Sequence, residues 1–332
     1  MKIVNDKKLK IGFTTSFPME PILAAGHQVV DLNNIFISEN SRRYIQKAES
    51  DGYPRNICSW IKGIYGVMLG GKIDYIMGIV QGDCSNTHSL LITLQELGFK
   101  TLQFSFPYDR DKDKLAMEIE NLEEIFGVNR SETNKIKFQL DKIRKKLIKL
   151  DELTWREGKV SGSENHLWLV SSSDFNGDSQ QFEKELDDFL RIAEKREVKK
   201  SELRLGYLGV PPIFDNLYEF LEEEGAQVVF NEIQRQFAMP SLVNDIVDQY
   251  WHYTYPYTVK ERISDIKDEV SIRKLDGVIS YTQSFCHRQI DNLVIRKYLD
   301  LPFLTLEGDQ PGSLDARTRL RLESFMDMLR YR

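Results

Sequence analysis

Three cysteines, Cys58, Cys84 and Cys286, are the residues of this chain whose type and placement most directly suggest chemistry. Two of them lie in similar stretches, "DYIMGIVQGDCSNTHSL" at 74–90 and "DGVISYTQSFCHRQIDN" at 276–292. In both stretches an Asp lies ten positions before the cysteine and a Gln lies three positions before it. Cysteine thiolates are soft metal ligands. Equivalent cysteines in two similar segments therefore suggest one shared site.

The residues alone leave three interpretations of these cysteines open. They could be unrelated buried thiols, since cysteine packs well in protein cores. They could bind zinc with His88 or His287, although His287 directly follows Cys286 and joint coordination of one ion would be awkward. They could hold a [4Fe–4S] cluster, because three thiolates leave one iron open, as catalysis requires. The C-x₂-C pairs typical of ferredoxins and zinc ribbons are absent from the sequence.

The elements around the cysteines follow one layout in both halves of the chain. Each half opens with a strand pattern, "KIGFTTSF" or "LRLGYLGVPP", followed by a short helix and a second strand. The two helices end at Gly26 and Gly225, where glycine is favoured because it adopts positive φ without a Cβ clash. Each cysteine segment is then followed by a helix and a strand. With the cysteines aligned, the matching positions are Leu97 with Leu299 and Leu102 with Leu304.

This alternation of strands and helices predicts an α/β fold with two similar, doubly wound parallel-sheet lobes joined by a helical segment. The predicted boundaries are 1–110 for the first lobe, 111–200 for the helical connector and 201–332 for the second lobe. Apolar residues spaced by three and four predict two connector helices, with Asp178 or Ser179 capping the second. The apolar positions are Ile136, Leu140, Ile143, Leu147 and Leu150 in the first, and Phe182, Leu186, Phe189 and Ala193 in the second.

In such lobes, ligands gather beyond the carboxyl ends of the parallel strands. Cys84 and Cys286 each follow a predicted strand end and precede a predicted helix, and Cys58 lies near another helix start in "GYPRNICSWIKGIYGVMLGG". The positive end of a helix favours thiolate over thiol. All three positions therefore suit metal ligands.

Bulk composition narrows the class of protein. The 332 residues are 41% hydrophobic and 29% charged, which predicts a soluble globular protein with room for two domains. A net charge of −6 argues against a nucleic-acid surface. We expect no membrane span, because no stretch approaches 18 apolar residues, and no signal peptide, because "MKIVNDKKLK" lacks an apolar region. Three cysteines are an odd number and predict no disulfide framework, so the cytoplasm is the expected compartment.

The chain resembles the 2-hydroxyacyl-CoA dehydratase and benzoyl-CoA reductase subunit family, and within it the dehydratase D-component. Matching segments occur in the family's order along nearly the whole chain. They are "GFTTSFPMEPILAAGHQVVDL", "YPRNICSWIKGIYG", "DYIMGIVQGDCSN", "LGYLGVPPIFDNLYEFLEEEGAQVVF", "DGVISYTQSFCHRQIDN" and "LPFLTLEGDQPGSLDARTRLRLESFMDML".

This resemblance implies a [4Fe–4S] cluster in the cleft between two α/β lobes, with Cys58, Cys84 and Cys286 as its ligands. It also implies a hydro-lyase that removes water from a 2-hydroxyacyl-CoA through a ketyl radical anion. The implied partners are a homologous second subunit or a second copy of the chain, an ATP-dependent iron–sulfur activator that supplies one electron, and the acyl-CoA substrate. Three cysteines cannot supply six thiolates for a double cluster, and Tyr255 and Tyr257 stand where some relatives have cysteine.

Several polar residues near the strand ends have two interpretations each. Glu20 and Ser16 follow the first strand and are candidate catalytic residues that lie beside substrate or cluster, with Glu20 in acid/base chemistry; the alternative is helix capping. Gln81 and Gln283 could donate to cluster sulfides or cap strand ends. Glu307 and Asp309 are expected to hold the loop after the last strand rather than to bind metal.

The predicted fold does not determine the reaction, because a radical dehydratase and a benzoyl-CoA-type reductase share it. A non-catalytic subunit that only relays electrons, and a reductase that does not use coenzyme A, are further alternatives.

Overall fold

The computed structural model of the chain describes residues 2–3, 7–38 and 40–332. The β-strands are β1 (Lys10–Phe13), β2 (Gln28–Asp31), β3 (Tyr75–Gln81), β4 (Thr101–Ser105), β5 (Leu203–Gly209), β6 (Ala226–Asn231), β7 (Gly277–Gln283) and β8 (Phe303–Gly308). The α-helices are α1 (Glu20–Ala24), α2 (Leu32–Ser38), α3 (Ser41–Ser50), α4 (Ser59–Met68), α5 (Asn86–Glu96), α6 (Lys112–Phe126), α7 (Arg130–Trp155), α8 (Gly162–Ser171), α9 (Ser179–Ala193), α10 (Leu217–Glu223), α11 (Glu232–Phe237), α12 (Ile246–His252), α13 (Val259–Arg273), α14 (Arg288–Tyr298) and α15 (Ala316–Arg330). A short 3₁₀ helix covers Phe175–Gly177.

The strands form two four-stranded sheets with the same topology. The first sheet has the order β2-β1-β3-β4 and the second the order β6-β5-β7-β8, and every neighbouring pair is parallel. Parallel strands are covered on both faces by crossover helices and so read as nearly continuous apolar runs. All seven residues of β7 are buried, as this rule requires. The predicted α/β fold with two similar parallel-sheet lobes is confirmed.

Strand register reproduces the internal alignment of the two halves. In the first sheet Leu102 of β4 lies opposite Met77 of β3. In the second sheet Leu304 of β8 lies opposite Ile279 of β7. Met77 and Ile279 are separated by the same interval as Cys84 and Cys286, and so are Leu102 and Leu304. The segment that leads to each cysteine therefore has the same register in its sheet.

Glycine ends the first helix of each lobe, as the sequence predicted. Gly26 follows α1 with φ of 80°, and Gly225 follows α10 with φ of 78°. This backbone region is costly for residues with a Cβ. The two glycines therefore allow the chain to turn from each short helix into its next strand.

The chain divides into two compact units, each containing one of the sheets. The first consists of Met1–Lys145, Ser173–Phe182 and Met239–Thr258, and the second consists of Lys146–Ser172, Glu183–Ala238 and Val259–Arg332. The long helix α7 contributes its first part to one unit and its last part to the other. No helix in the described ranges combines the length and apolar character needed to cross a bilayer.

The two predicted connector helices correspond to α7 and α9. Most of the predicted apolar positions are buried, with only Ile136 and Phe189 partly exposed. Asp178 caps α9, because its Oδ1 accepts the backbone N–H groups of Gln180 and Gln181, both at 3.1 Å. The cap satisfies donors at the helix start that have no partner within the helix.

Two buried carboxylates meet where β2 ends in the first unit. The backbone N–H of Asp31 donates to Asp174 Oδ2 at 2.8 Å, and the Ser173 hydroxyl donates to Asp31 Oδ2 at 2.6 Å. Burial raises the pKa of Asp31. Burial and the nearby charge of Asp31 raise the pKa of Asp174 to about 7. The folded protein therefore retains a proton here at pH values where the unfolded chain has lost it.

This pair makes stability depend on pH. Because the pKa of Asp174 is raised on folding, its contribution is greatest at acidic pH and is lost as pH rises from about 4 to 7. We expect Asp174→Asn to remove this dependence, so that between pH 5 and pH 8 the variant gains about 2 kcal/mol relative to wild type. Urea unfolding at both pH values measures the effect. Asp178→Asn, at the exposed cap nearby, is the matched control and should follow wild type; a parallel pH dependence in Asp174→Asn and wild type would contradict the prediction.

Candidate functional site

The two aligned cysteines occupy the same structural position in their units. Cys84 lies three residues after the end of β3 and two before α5, and Cys286 lies three residues after β7 and two before α14. The carbonyl of Cys84 accepts the N–H of Thr87 at 3.0 Å, and the carbonyl of Cys286 accepts that of Gln289 at 3.1 Å. Both cysteines are partly exposed. The sequence prediction of a carboxyl-end position before a helix is confirmed for each.

Cys58 is the N-cap residue of α4. One turn later Lys62 is fully buried, and its Nζ donates to the Arg55 carbonyl at 3.1 Å and to Glu49 Oε1 at 2.8 Å. These bonds fix the loop before Cys58 to the helix after it. The thiol is partly exposed like the other two.

The chemistry of the donor set suits an iron–sulfur cluster. All three cysteines lie within the described ranges, and none of them is in a disulfide. Each lies at a helix N-terminus, where the positive end of the helix favours the thiolate that ligates iron. Cys58 and Cys84 belong to the first unit and Cys286 to the second. Within residues 2–3, 7–38 and 40–332, no group of three or more His, Cys, Asp or Glu side chains is close enough to hold a metal ion.

Glu20 lies at the start of α1 and is fully buried in the first unit. Its Oε1 accepts Arg144 Nη2 at 2.8 Å and Gln249 Nε2 at 2.9 Å, and its Oε2 accepts the Tyr250 hydroxyl at 3.0 Å. Burial, together with the charge of Glu20, raises the pKa of Tyr250 well above its ordinary value, so Tyr250 remains a donor. The carboxylate thus joins α1 to α7 and α12.

Ser16 lies in the loop between β1 and α1 and is buried. Its hydroxyl has no hydrogen-bond partner among the residues that the structure describes. The helix α1 starts after Met19 and has no side-chain cap. The capping interpretation of Ser16 is therefore wrong, because the helix begins too far along the chain for this serine to reach its first turn.

A family model described as "HGD-D: 2-hydroxyglutaryl-CoA dehydratase, D-component" matches residues 14–329. The chain belongs to this family. No curated protein matches the chain. The matched range contains the three cysteines together with Ser16 and Glu20, so the D-component resemblance predicted from the motifs is confirmed.

In this D-component chain, the side chain of Gln283, three residues before Cys286, forms hydrogen bonds with other protein groups. Gln283 Nε2 donates to the Asp309 carbonyl at 2.9 Å, and Gln283 Oε1 accepts the Tyr281 hydroxyl at 3.0 Å. Glu307 Oε1 accepts Gln289 Nε2 at 3.1 Å. Gln283 ends β7, so these contacts support the interpretation that it caps a strand end. The expectation that Glu307 follows the last strand is wrong, because Glu307 lies within β8 and contacts the start of α14.

Tyr255 and Tyr257 are packing residues of the first unit. Tyr255 and Tyr257 are buried, and the Tyr257 hydroxyl donates to the Tyr250 carbonyl at 2.9 Å. The ring of Phe106 lies 5.9 Å from that of Tyr257 and 6.0 Å from that of Tyr253. Rings at these separations stabilise a core by contact and by edge interactions.

Gly82 positions Cys84, and we expect its replacement by alanine to be costly. Gly82 has φ of 96°, and a Cβ there would lie 2.8 Å from Pro256 Cβ and 3.1 Å from Phe106 Cβ. Backbone strain and crowding together predict a loss of about 2 kcal/mol or more in the free energy of unfolding. Gly98→Ala is the matched control, because Gly98 also has positive φ but open space around it. Chemical denaturation should show the larger loss for Gly82→Ala; equal losses would mean that crowding before Cys84 is unimportant.

Sequence reasoning missed the partners of Glu20. Arg144 is buried and donates to Asp141, Gln249 and Glu20. A signal was available, because Arg144 is four residues after Leu140 and so lies on the buried side of α7. Nothing in the local sequence marks Gln249 as a partner, since it is 229 residues from Glu20.

Proposed function

We propose that this chain is the iron–sulfur subunit of a 2-hydroxyacyl-CoA dehydratase-like enzyme. The observation that carries the proposal is the equivalent placement of Cys84 and Cys286 after matching strands, in a chain that belongs to the dehydratase D-component family. Both thiols are partly exposed and not fully packed in their cores. Matching, partly exposed thiols support a common cofactor.

Cys58, Cys84 and Cys286 would supply three thiolates to a [4Fe–4S] cluster. When bound, such a cluster supplies one low-potential electron and one iron that no cysteine occupies. The chain's own contribution is to present the thiolates at helix N-termini and to exclude competing reactions. The three cysteines lie beside the starts of α4, α5 and α14, which supports the first of these tasks.

The proposed reaction removes water from a 2-hydroxyacyl-CoA through a ketyl radical anion. The β-proton of such a thioester is too weakly acidic for ordinary base catalysis. One added electron on the thioester carbonyl makes the 2-hydroxyl group a feasible leaving group and then acidifies the β-position.

Two residues of the β1–α1 region have different proposed roles. The buried Ser16 hydroxyl has no partner in the described residues and is available to donate to a ligand oxygen. Glu20 accepts three hydrogen bonds, which support a positioning role for α1. Acid/base catalysis by either residue stays a prediction.

The proposed partners follow from the same chemistry. A homologous second subunit or a second copy of the chain would complete the enzyme. A separate ATP-hydrolysing iron–sulfur activator would deliver the electron, since a low-potential electron requires an energy source. The cytoplasm remains the predicted compartment.

An anaerobic assay tests the proposal. Protein, activator, ATP and a reductant are mixed with an (R)-2-hydroxyacyl-CoA, with and without the homologous second subunit, and formation of the enoyl-CoA is followed by chromatography. We expect product only when ATP and activator are both present, and no product from the free hydroxy acid. Reduction of the protein by the activator without product from any hydroxyacyl-CoA would contradict the dehydratase role and favour electron relay.

A further inference from the structure

A small cavity lies behind Cys286 in the second unit. Its volume is about 10 Å³, and its lining includes Cys286, Thr282, Asn292 and the buried Arg262. A volume of this size holds one water molecule if enough polar groups face it. The cavity is thus large enough for one solvent molecule and too small for a substrate.

Two of the lining side chains carry polar atoms that the described residues leave unpaired. Thr282 and Asn292 are 4% and 7% exposed. Neither Thr282 Oγ1 nor Asn292 Nδ2 has a hydrogen-bond partner. A buried polar atom without a partner has lost its hydration without compensation, so two of them at one cavity favour a bound partner there.

Asn292 has its amide oriented by a neighbour on β7. The Ser280 hydroxyl donates to Asn292 Oδ1 at 2.7 Å. The carbonyl end of the amide is therefore used within the protein, and the Nδ2 end is the one without a partner. This arrangement leaves a donor from α14 beside a hydroxyl from β7.

The first unit shows that this polar set is not required by the fold. With Cys84 aligned on Cys286, Ser280, Thr282 and Asn292 correspond to Gly78, Val80 and Leu90. Leu90 is fully buried in its unit. The same strand–cysteine–helix segment is thus built with apolar residues in the first unit and with polar residues in the second.

We propose that the cavity binds one water molecule, held by Thr282 Oγ1 and Asn292 Nδ2, that donates a hydrogen bond to the Cys286 sulfur. Thr282 and Asn292 are positioning residues, because they act on the sulfur through this water. Hydrogen bonds to a ligating sulfur raise the reduction potential of a cluster. The effect on potential rests on the proposed function, whereas the water site itself does not.

Crystallography of the full chain tests the water site directly. We expect electron density for one water within hydrogen-bonding distance of Thr282 Oγ1 and Asn292 Nδ2. Direct hydrogen bonds from these groups to protein atoms, with the cavity closed, would overturn the proposal. This measurement is decisive even for protein that contains no iron, so it separates failure of the water site from failure of the proposed function.

Variants that copy the first unit test the effect on Cys286. Thr282→Val removes one donor, and Ser280→Ala with Asn292→Leu removes the other without leaving the serine hydroxyl unpaired. We expect anaerobically reconstituted variants to keep wild-type iron content and to shift to a more negative midpoint potential. Thr305→Val, on the adjacent strand, is the matched control and should not shift. Wild-type potentials in both cavity variants would overturn the link to Cys286.

Discussion

Cys286→Ser is expected to abolish most of the iron and sulfide bound by the anaerobically purified protein. A [4Fe–4S] cluster with three thiolate ligands has no spare ligand, and serine is a poor substitute for a thiolate on iron. Cys58→Ser and Cys84→Ser should have the same effect, although they lie in the other unit. Colorimetric iron and sulfide analysis measures the loss, which we expect to exceed half of the wild-type content.

The appropriate control for these variants is Ser284→Ala. It changes a partly exposed residue two positions before Cys286 and leaves all three thiols in place. We expect wild-type iron and sulfide in this variant. Full metal content in Cys286→Ser would remove Cys286 from the ligand set and would break the argument from the duplicated position.

Arg144→Met is expected to reduce the free energy of unfolding by about 3–5 kcal/mol. The side chains of Arg144 and Glu20 are 2% and 0% exposed, and their closest atoms are 2.8 Å apart. Removing the guanidinium leaves the Glu20 carboxylate buried without a counter-charge, which is far more costly than losing an exposed ion pair. Equilibrium unfolding in urea or guanidinium gives the loss.

A double variant isolates the charge effect from packing. In Glu20→Gln with Arg144→Met, the amide still accepts a hydrogen bond from Gln249 or Tyr250, and the unpaired carboxylate at position 20 is removed. We expect the double variant to be more stable than Arg144→Met alone, a clear departure from additivity. The account would be contradicted if the losses in free energy of unfolding were additive, or if Arg144→Met cost less than about 1 kcal/mol. Either result would mean that the ion pair with Arg144 does not stabilise the buried Glu20 carboxylate.

The periodicity and the internal repetition of the sequence were sufficient to predict the two sheets and the positions of Cys84 and Cys286 within them. The matching intervals around Cys84 and Cys286 predicted equivalent positions, and the register of β3 with β4 and of β7 with β8 agrees. The glycines after α1 and α10 were found because positive φ is largely restricted to glycine. These features depend on short stretches of chain, which is why one sequence was enough.

The polar networks could not be predicted, because their partners are far apart in the chain. Glu20 and Tyr250 are separated by 230 positions, and the Asp31–Asp174 pair by 143. The backbone before Cys286 was also missed, since Phe285 adopts φ of 63°, a region where a bulky residue is uncommon. Only the fold shows which polar residues are buried together.

Metal and sulfide content of the wild-type protein tests the central claim most directly. The chain is purified without oxygen, analysed for iron, zinc and acid-labile sulfide, and examined by electron paramagnetic resonance after one-electron reduction. The account predicts about four iron and four sulfide per chain and a signal from a reduced cubane. Stoichiometric zinc without sulfide, or anaerobic protein that binds no metal after reconstitution with iron and sulfide, would contradict it.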